Sequence, residues 1–138
     1  EKAVVREHVP TTVMLGAQHG ALRSRQVREM ARSDRSNWVV KPVSESGGRG
    51  LVMGMHCAQE EWEHLLESKE SFVLQKKVPE WTRTFPDARR GYALEKCLID
   101  LDPFLIRGRL AGFMCRLGRR SPLNVAQGAH LVPVFVSS

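Results

Sequence analysis

The sequence has no apolar run of membrane-span length and no signal-peptide pattern at its start. A helical span needs about 20 apolar residues, so no membrane partner is expected. It has only three cysteines, Cys57, Cys97 and Cys115, far apart and without CxxC or Cys/His zinc spacing. That leaves no basis for a disulfide framework or a zinc finger. Cys97 and Cys115 stand in apolar, strand-like runs, which fits buried reduced thiols in a cytoplasmic protein. His8, His19, His56, His64 and His130 form no metal spacing, and no Ser/His/Asp or Cys/His nucleophile set stands out. There is no internal repeat and no low-complexity tract. The chain also has no initiator methionine and opens on Glu1-Lys2, the look of a piece of something longer.

What is present suits one modest domain. The 138 residues are 42% hydrophobic and 26% charged, ordinary for a globular chain. The formal net charge is +6, which favours anionic partners such as nucleotides, carboxylates or nucleic acid, although plain solubility explains it as well.

The most informative stretch runs from Trp38 to Met53, WVVKPVSESGGRGLVM. A β-branched run ends in Lys41, a loop of small residues holds Gly47, Gly48 and Gly50, and a second apolar run follows. We read strand, phosphate-covering loop, strand. Glycines let backbone N–H groups approach a phosphate and adopt positive φ without steric cost. A lysine on the preceding strand can meet the same phosphates as a point charge. A Walker loop has its lysine after the glycines, and the dinucleotide fingerprint has another glycine spacing, so this is neither. The plain alternative is a hairpin turn that needs glycine.

Thr11 to Leu15 reads as an extended segment. From Ala21 to about Arg32 the period is helical, with Leu22, Val27, Met30 and Ala31 on one side. Arg25, Arg28, Arg32 and Arg35 form a basic stripe on the other, expected to be a solvated face. Ala58, Trp62, Leu65 and Leu66 repeat at helical spacing, which predicts an amphipathic helix over 58–67 with His64 on its polar side. Ser71 to Val78 reads as a short strand stopped by Pro79. Residues 79–91 are polar and basic, carry Pro86 and lack a period, so a loop is expected. From Tyr92 onward the chain is rich in strand signals, with a turn at Arg107-Gly108-Arg109. The expectation is an α+β chain in three parts: a small lobe (1–78), an interlobe loop (79–91) and a β-rich antiparallel lobe (92–138).

Asp100 and Asp102 flank Leu101, so in a strand both point to one face, where they could hold magnesium. For Asp102 before Pro103 a turn cap is the alternative. Arg116 could pair with a phosphate or carboxylate, or form an internal salt bridge with Asp100 or Asp102. Asn124 is an oxygen ligand or a turn residue. Glu80 could accept ribose hydroxyl hydrogens or be a surface residue.

Taken together, WVVKPVSESGGRGLVMG and DLDPFLIRGRLAGFMCRLG…NVAQGAHLVPVFV resemble the ATP-binding half of the ATP-grasp superfamily. The likeness is greatest to circularly permuted ATP-grasp and glutathionylspermidine-synthase-like proteins, and it covers roughly residues 38–136. The resemblance implies an ATP cleft between the two lobes. Lys41 would contact the α/β-phosphates, and Ser46, Gly47, Gly48 and Gly50 would form the loop over the triphosphate. Gln75, Lys76, Lys77 and Val78 would form the hinge at the adenine edge, with Glu80 beside it. Glu45, Asp100 and Asn124 would serve magnesium, and Arg116 would face the γ-phosphate and acyl-phosphate. Two positions depart from the pattern: Asp102 where related proteins usually have arginine, and Pro122 where many have a glutamate.

The implied chemistry is ATP-dependent ligation of a carboxylate to an amine, or a thiol, with ATP and magnesium. The implied partners are those substrates and the remainder of a parent chain, without which the piece is expected to be inactive. The alternatives are a non-catalytic module for nucleic acid or other anions, and a degenerate ATP-grasp domain that binds nucleotide without turnover.

Overall fold

The computed structural model describes residues 2–16, 22–45 and 47–136. The chain divides into two compact units, Glu1–Val78 and Pro79–Ser138. Each contains one antiparallel four-stranded sheet, so the fold class is α+β.

Unit 1 holds α1 (Lys2–His8), β1 (Thr12–Leu15), α2 (Leu22–Ser33), β2 (Trp38–Pro42), β3 (Val52–Met53), α3 (Gln59–Glu67) and β4 (Phe72–Lys76). Its sheet order is β1-β4-β2-β3. The period of two in the strands sorts side chains to opposite faces. One face carries Val13, Leu15, Trp38, Val40 and Leu74, packed with Val27 and Ala31 of α2, Trp62 and Leu66 of α3, and Cys57. Within this core the Trp62 indole donates to the Ala31 carbonyl at 3.0 Å, which satisfies its buried N–H. The second face, set by the pairings Thr12↔Gln75, Met14↔Val73, Val39↔Gln75, Lys41↔Val73 and Val39↔Met53, carries a different set. Val39 and Met53 are buried there, outside the core cluster.

The α3 expectation matches the structure, and His64 is exposed. The apolar side of α2 is narrower than its period implies. Val27 and Ala31 are buried, whereas Leu22 and Met30 are exposed. Nor is the basic stripe a simple solvated face. Arg32 bridges from α2 to α3, donating to Glu63 and Glu67 at 2.6 Å each and to Glu29. The Glu63 bond first, and then the Glu29 bond, hold its guanidinium above its ordinary pKa. Arg35 donates to the Gly54 carbonyl at 2.9 Å and to the Cys57 carbonyl. Gly54 is required there, because a Cβ would overlap Arg35 O.

Unit 2 is a meander of β5 (Trp81–Asp87), β6 (Ala93–Ile106), β7 (Arg109–Gly118) and β8 (His130–Val132), in the order β5-β6-β7-β8. The segment expected to be a loop over 79–91 is mostly strand: β5 pairs with β6 from Trp81↔Ile99 to Asp87↔Ala93. Pro86 fits because β5 is an edge strand, where a missing N–H costs little. Residues 93–106 form one strand through Pro103, so Asp102 is no turn cap. The turn at Arg107-Gly108 has φ of 50° and 75°, the left-handed pair of a tight hairpin.

No helix among the described residues is long and apolar enough to cross a membrane.

Candidate functional site

Lys41 is the penultimate residue of β2, on the sheet face away from the core. It is half-buried. Its Nζ donates to Gln75 Oε1 at 2.6 Å, Gln75 Nε2 donates to Thr12 Oγ1 at 2.9 Å, and Thr12 Oγ1 donates to the Pro10 carbonyl at 2.8 Å. This polar chain crosses β2, β4 and β1 in turn and fixes the lysine against the sheet. An ammonium has three hydrogens to donate. Gln75 takes one, and the other two have no partner among the described residues. A half-buried cation with unspent donors attracts an anion strongly, since screening by water is reduced.

The loop between β2 and β3 starts next to this lysine. Gly47, Gly48 and Gly50 all have positive φ, at 67°, 75° and 66°. These are backbone states that side chains resist, which accounts for three glycines in four positions. Around Gly47 a Cβ would meet nothing within 4 Å, so the loop tip is open, whereas at Gly50 a Cβ would press on the Pro42 ring at 2.7 Å. Glu45 pairs with Arg49 across the turn at 3.4 Å, both exposed. Ser46, expected in the same loop, lies outside the described residues.

The expected hinge runs off the end of β4. The Lys76 backbone N–H donates to the Thr11 carbonyl at 2.8 Å and the Lys77 N–H to the Asn37 carbonyl at 2.7 Å. Those two donors hold unit 1 together and are not spare for an adenine edge. The Lys77 ammonium lies 3.3 Å from Met55 Sδ. Val78 is exposed at the end of unit 1, and Glu80, exposed, belongs to unit 2.

In unit 2 the ladder sets Asp100 opposite Arg116 and Asp102 opposite Met114, so all four share a face. Arg116 donates from its backbone N–H and Nε to Asp100 Oδ1, at 3.1 and 3.2 Å, and from Nη2 to Asp102 Oδ2 at 2.9 Å. Its Nη2 is also 2.7 Å from Asp100 Oδ2. The Asp100 bond above all raises the guanidinium's pKa. Of the two readings of Arg116, the internal salt bridge is present, and it involves both aspartates. Burial, then the same carboxylates, raise the Cys115 thiol. Asn124 has a turn role: its Oδ1 accepts from the Ala126 N–H at 2.9 Å and caps the short 3-10 turn Val125–Gln127.

Asp100 and Asp102 are an all-oxygen donor pair on one face, which fits magnesium better than zinc. Arg116 offsets part of their charge. Among the described residues no three His, Cys, Asp or Glu side chains cluster as a metal site. The predicted set therefore falls into two groups: Lys41, the glycines and Gln75 to Val78 in unit 1, and Asp100, Arg116 and Asn124 in unit 2.

Sequence reasoning missed one feature of unit 2. A cavity of about 530 Å³ is lined by Arg89, Arg119, Arg120 and His130 among others. The dipeptides Arg89-Arg90 and Arg119-Arg120 were visible signals, but they are 30 residues apart and only the fold brings them together.

A scan against protein-family models finds no match, and a search of curated proteins finds none.

Proposed function

We propose that the chain is the ATP-binding part of an ATP-grasp-like ligase that joins a carboxylate to an amine, or a thiol, through an acyl-phosphate. The observation that carries this reading is Lys41. Its half-buried ammonium is held to the sheet by Gln75, keeps two donors unspent among the described residues, and stands beside a loop of three positive-φ glycines. A triphosphate is the anion this combination suits, since a fixed point charge and a backbone-rich flap can serve several phosphate oxygens together.

Phosphoryl transfer asks a protein for placement and charge neutralisation more than for a nucleophile. Lys41 would hold the triphosphate tail. The glycine loop would close over it and keep water from the activated carboxylate. In unit 2, Arg116 would offset negative charge on a bound anion once one of its aspartates turns to another cation. Within unit 2, Asp100 and Asp102, on one face of β6, are the oxygen donors that would hold magnesium, and bound magnesium would neutralise phosphate charge. In the superfamily that the sequence resembles, another domain supplies most of the acceptor site. We therefore expect this chain alone to bind nucleotide without completing ligation, in the cytoplasm where ATP is found.

Thermal unfolding with and without nucleotide tests the reading. Ligand at 100-fold above Kd adds about 2.7 kcal/mol, so magnesium-ATP should raise Tm by several degrees. Magnesium-AMP, which lacks the β- and γ-phosphates, should raise it much less. Equal shifts with the two, or none with either, would count against a triphosphate site.

A further inference from the structure

The geometry points to a second anion site, in unit 2, built for a small molecule carrying two or more negative charges, such as a phosphate monoester or a polycarboxylate. It is independent of the nucleotide reading. His130 lies opposite Leu117 in the β7–β8 ladder, so its side chain is on the other sheet face from Arg116.

The cavity of about 530 Å³ falls in the size range of small-ligand pockets. Its walls include Arg89, Arg119, Arg120, His130, Ser121 and Gln127, and no carboxylate among the described residues. The acids stand behind the arginines. Asp87 and Glu95 have side chains only 15% exposed. Asp87 accepts from the Arg89 backbone N–H at 2.9 Å, pairs with Arg89 Nε at 3.4 Å, and accepts from Arg119 Nη2 at 3.0 Å. Glu95 pairs with the same Arg119 Nη2 and with Arg90. Two carboxylates thus anchor three guanidinium groups, and one positive charge is left over.

The anchoring is economical in donors. Both acids use Arg119 through Nη2, so its Nη1 and Nε hydrogens have no partner among the described residues and are open to a ligand. Arg120 has no ion pair among the described residues and adds a second uncompensated charge. Guanidinium groups fixed from behind are pre-organised for oxyanions, because the ordering entropy is already spent. Ser121 and Gln127 add neutral donors. A concave wall of this size matches a compact anion rather than an extended polymer backbone.

Isothermal titration of the full chain with inorganic phosphate, and separately with citrate, at constant ionic strength tests the site. At least one of them should bind, and the tighter one identifies the class, phosphate ester or polycarboxylate. Arg120→Ala removes an exposed side chain with no internal bond, so its fold should be intact by circular dichroism. It should weaken binding at least tenfold. Lys41→Ala should leave that binding unchanged, which separates this site from the nucleotide site. Arg120→Ala should in turn retain the magnesium-ATP response. If neither anion binds beyond a chloride control, or if Arg120→Ala binds like the wild type, the site is wrong.

Discussion

The two units solve the same problem differently. Unit 1 covers one face of its sheet with α2 and α3 and buries Trp38, Trp62, Leu15, Leu66 and Leu74 almost completely. Unit 2 has no α-helix among its described residues. Its buried apolar residues there are Cys115 and Ala129, while Leu94, Phe104, Leu105, Ile106 and Leu131 are exposed. Unit 1 therefore rests on burial, the larger and less directional term. Unit 2 rests on its strand ladders and on ion pairs around Asp87, Glu95, Asp100 and Asp102. The contrast extends to the candidate sites. Lys41 sits on a sheet that is rigid because its far side is packed, whereas the arginines of unit 2 are positioned by carboxylates.

The largest expected effect is a core deletion. Trp62→Ala should cost about 3–5 kcal/mol in urea unfolding, from lost burial and the orphaned Ala31 carbonyl. Leu105→Ala in unit 2 should cost less than about 1 kcal/mol, since that side chain is exposed. Equal costs would break the comparison.

Glycine substitutions sharpen it. Gly54→Ala forces a Cβ onto Arg35 O and should cost about 1–3 kcal/mol. Gly112→Ala in β7, where a Cβ would meet nothing within 4 Å, should stay within about 0.5 kcal/mol.

The cost of losing an ion pair follows its exposure. Arg116→Ala should cost unit 2 about 1–3 kcal/mol, because it leaves Asp100 and Asp102 facing each other without their cation. Arg49→Ala in unit 1 removes only an exposed partner of Glu45 and should change stability by less than about 0.5 kcal/mol.

The smallest effects are in pH dependence. Burial, then the nearby Glu61, pushes the Cys57 thiol up to about 11 from its ordinary 9.0. A raised pKa means that its contribution is complete below 9.0 and is lost as pH rises through 9 to 11, where the unfolded thiol ionises first. Cys115 is raised as well, so the Cys57 part is read as the difference between wild type and Cys57→Ala in Tm against pH. Asp87 has the opposite sign. The Arg89 N–H above all holds its carboxyl below the ordinary 3.8, so its contribution is present above that value and is lost as pH falls through the lower folded value. Asp87→Asn should flatten that acid limb.

Legibility in the sequence followed burial. Helix α3 could be read because Trp62 and Leu66 both face the core, and period records burial. At α2 the period overcounted, since Leu22 and Met30 are apolar yet exposed. Helix α1, Lys2–His8, has no clear apolar stripe and was not anticipated. Strand β5 was masked by Pro86, although Trp81, Thr82, Thr84 and Phe85 are strand formers, because edge position depends on topology rather than local pattern. For the sites, Lys41 and its glycines were legible because they adjoin in sequence. Its tie to Gln75, 34 residues away, was not, and neither was the Arg89–Arg119 cluster, which only the unit 2 fold assembles.

The most direct test of the central claim is magnesium-ATP affinity in Lys41→Ala, measured by titration beside the wild type. Removing a charge-assisted contact of about 1.5–3 kcal/mol should weaken binding roughly ten- to a hundredfold while the unliganded Tm changes little. Binding equal to the wild type would contradict the claim that this lysine and its glycine loop grip a triphosphate.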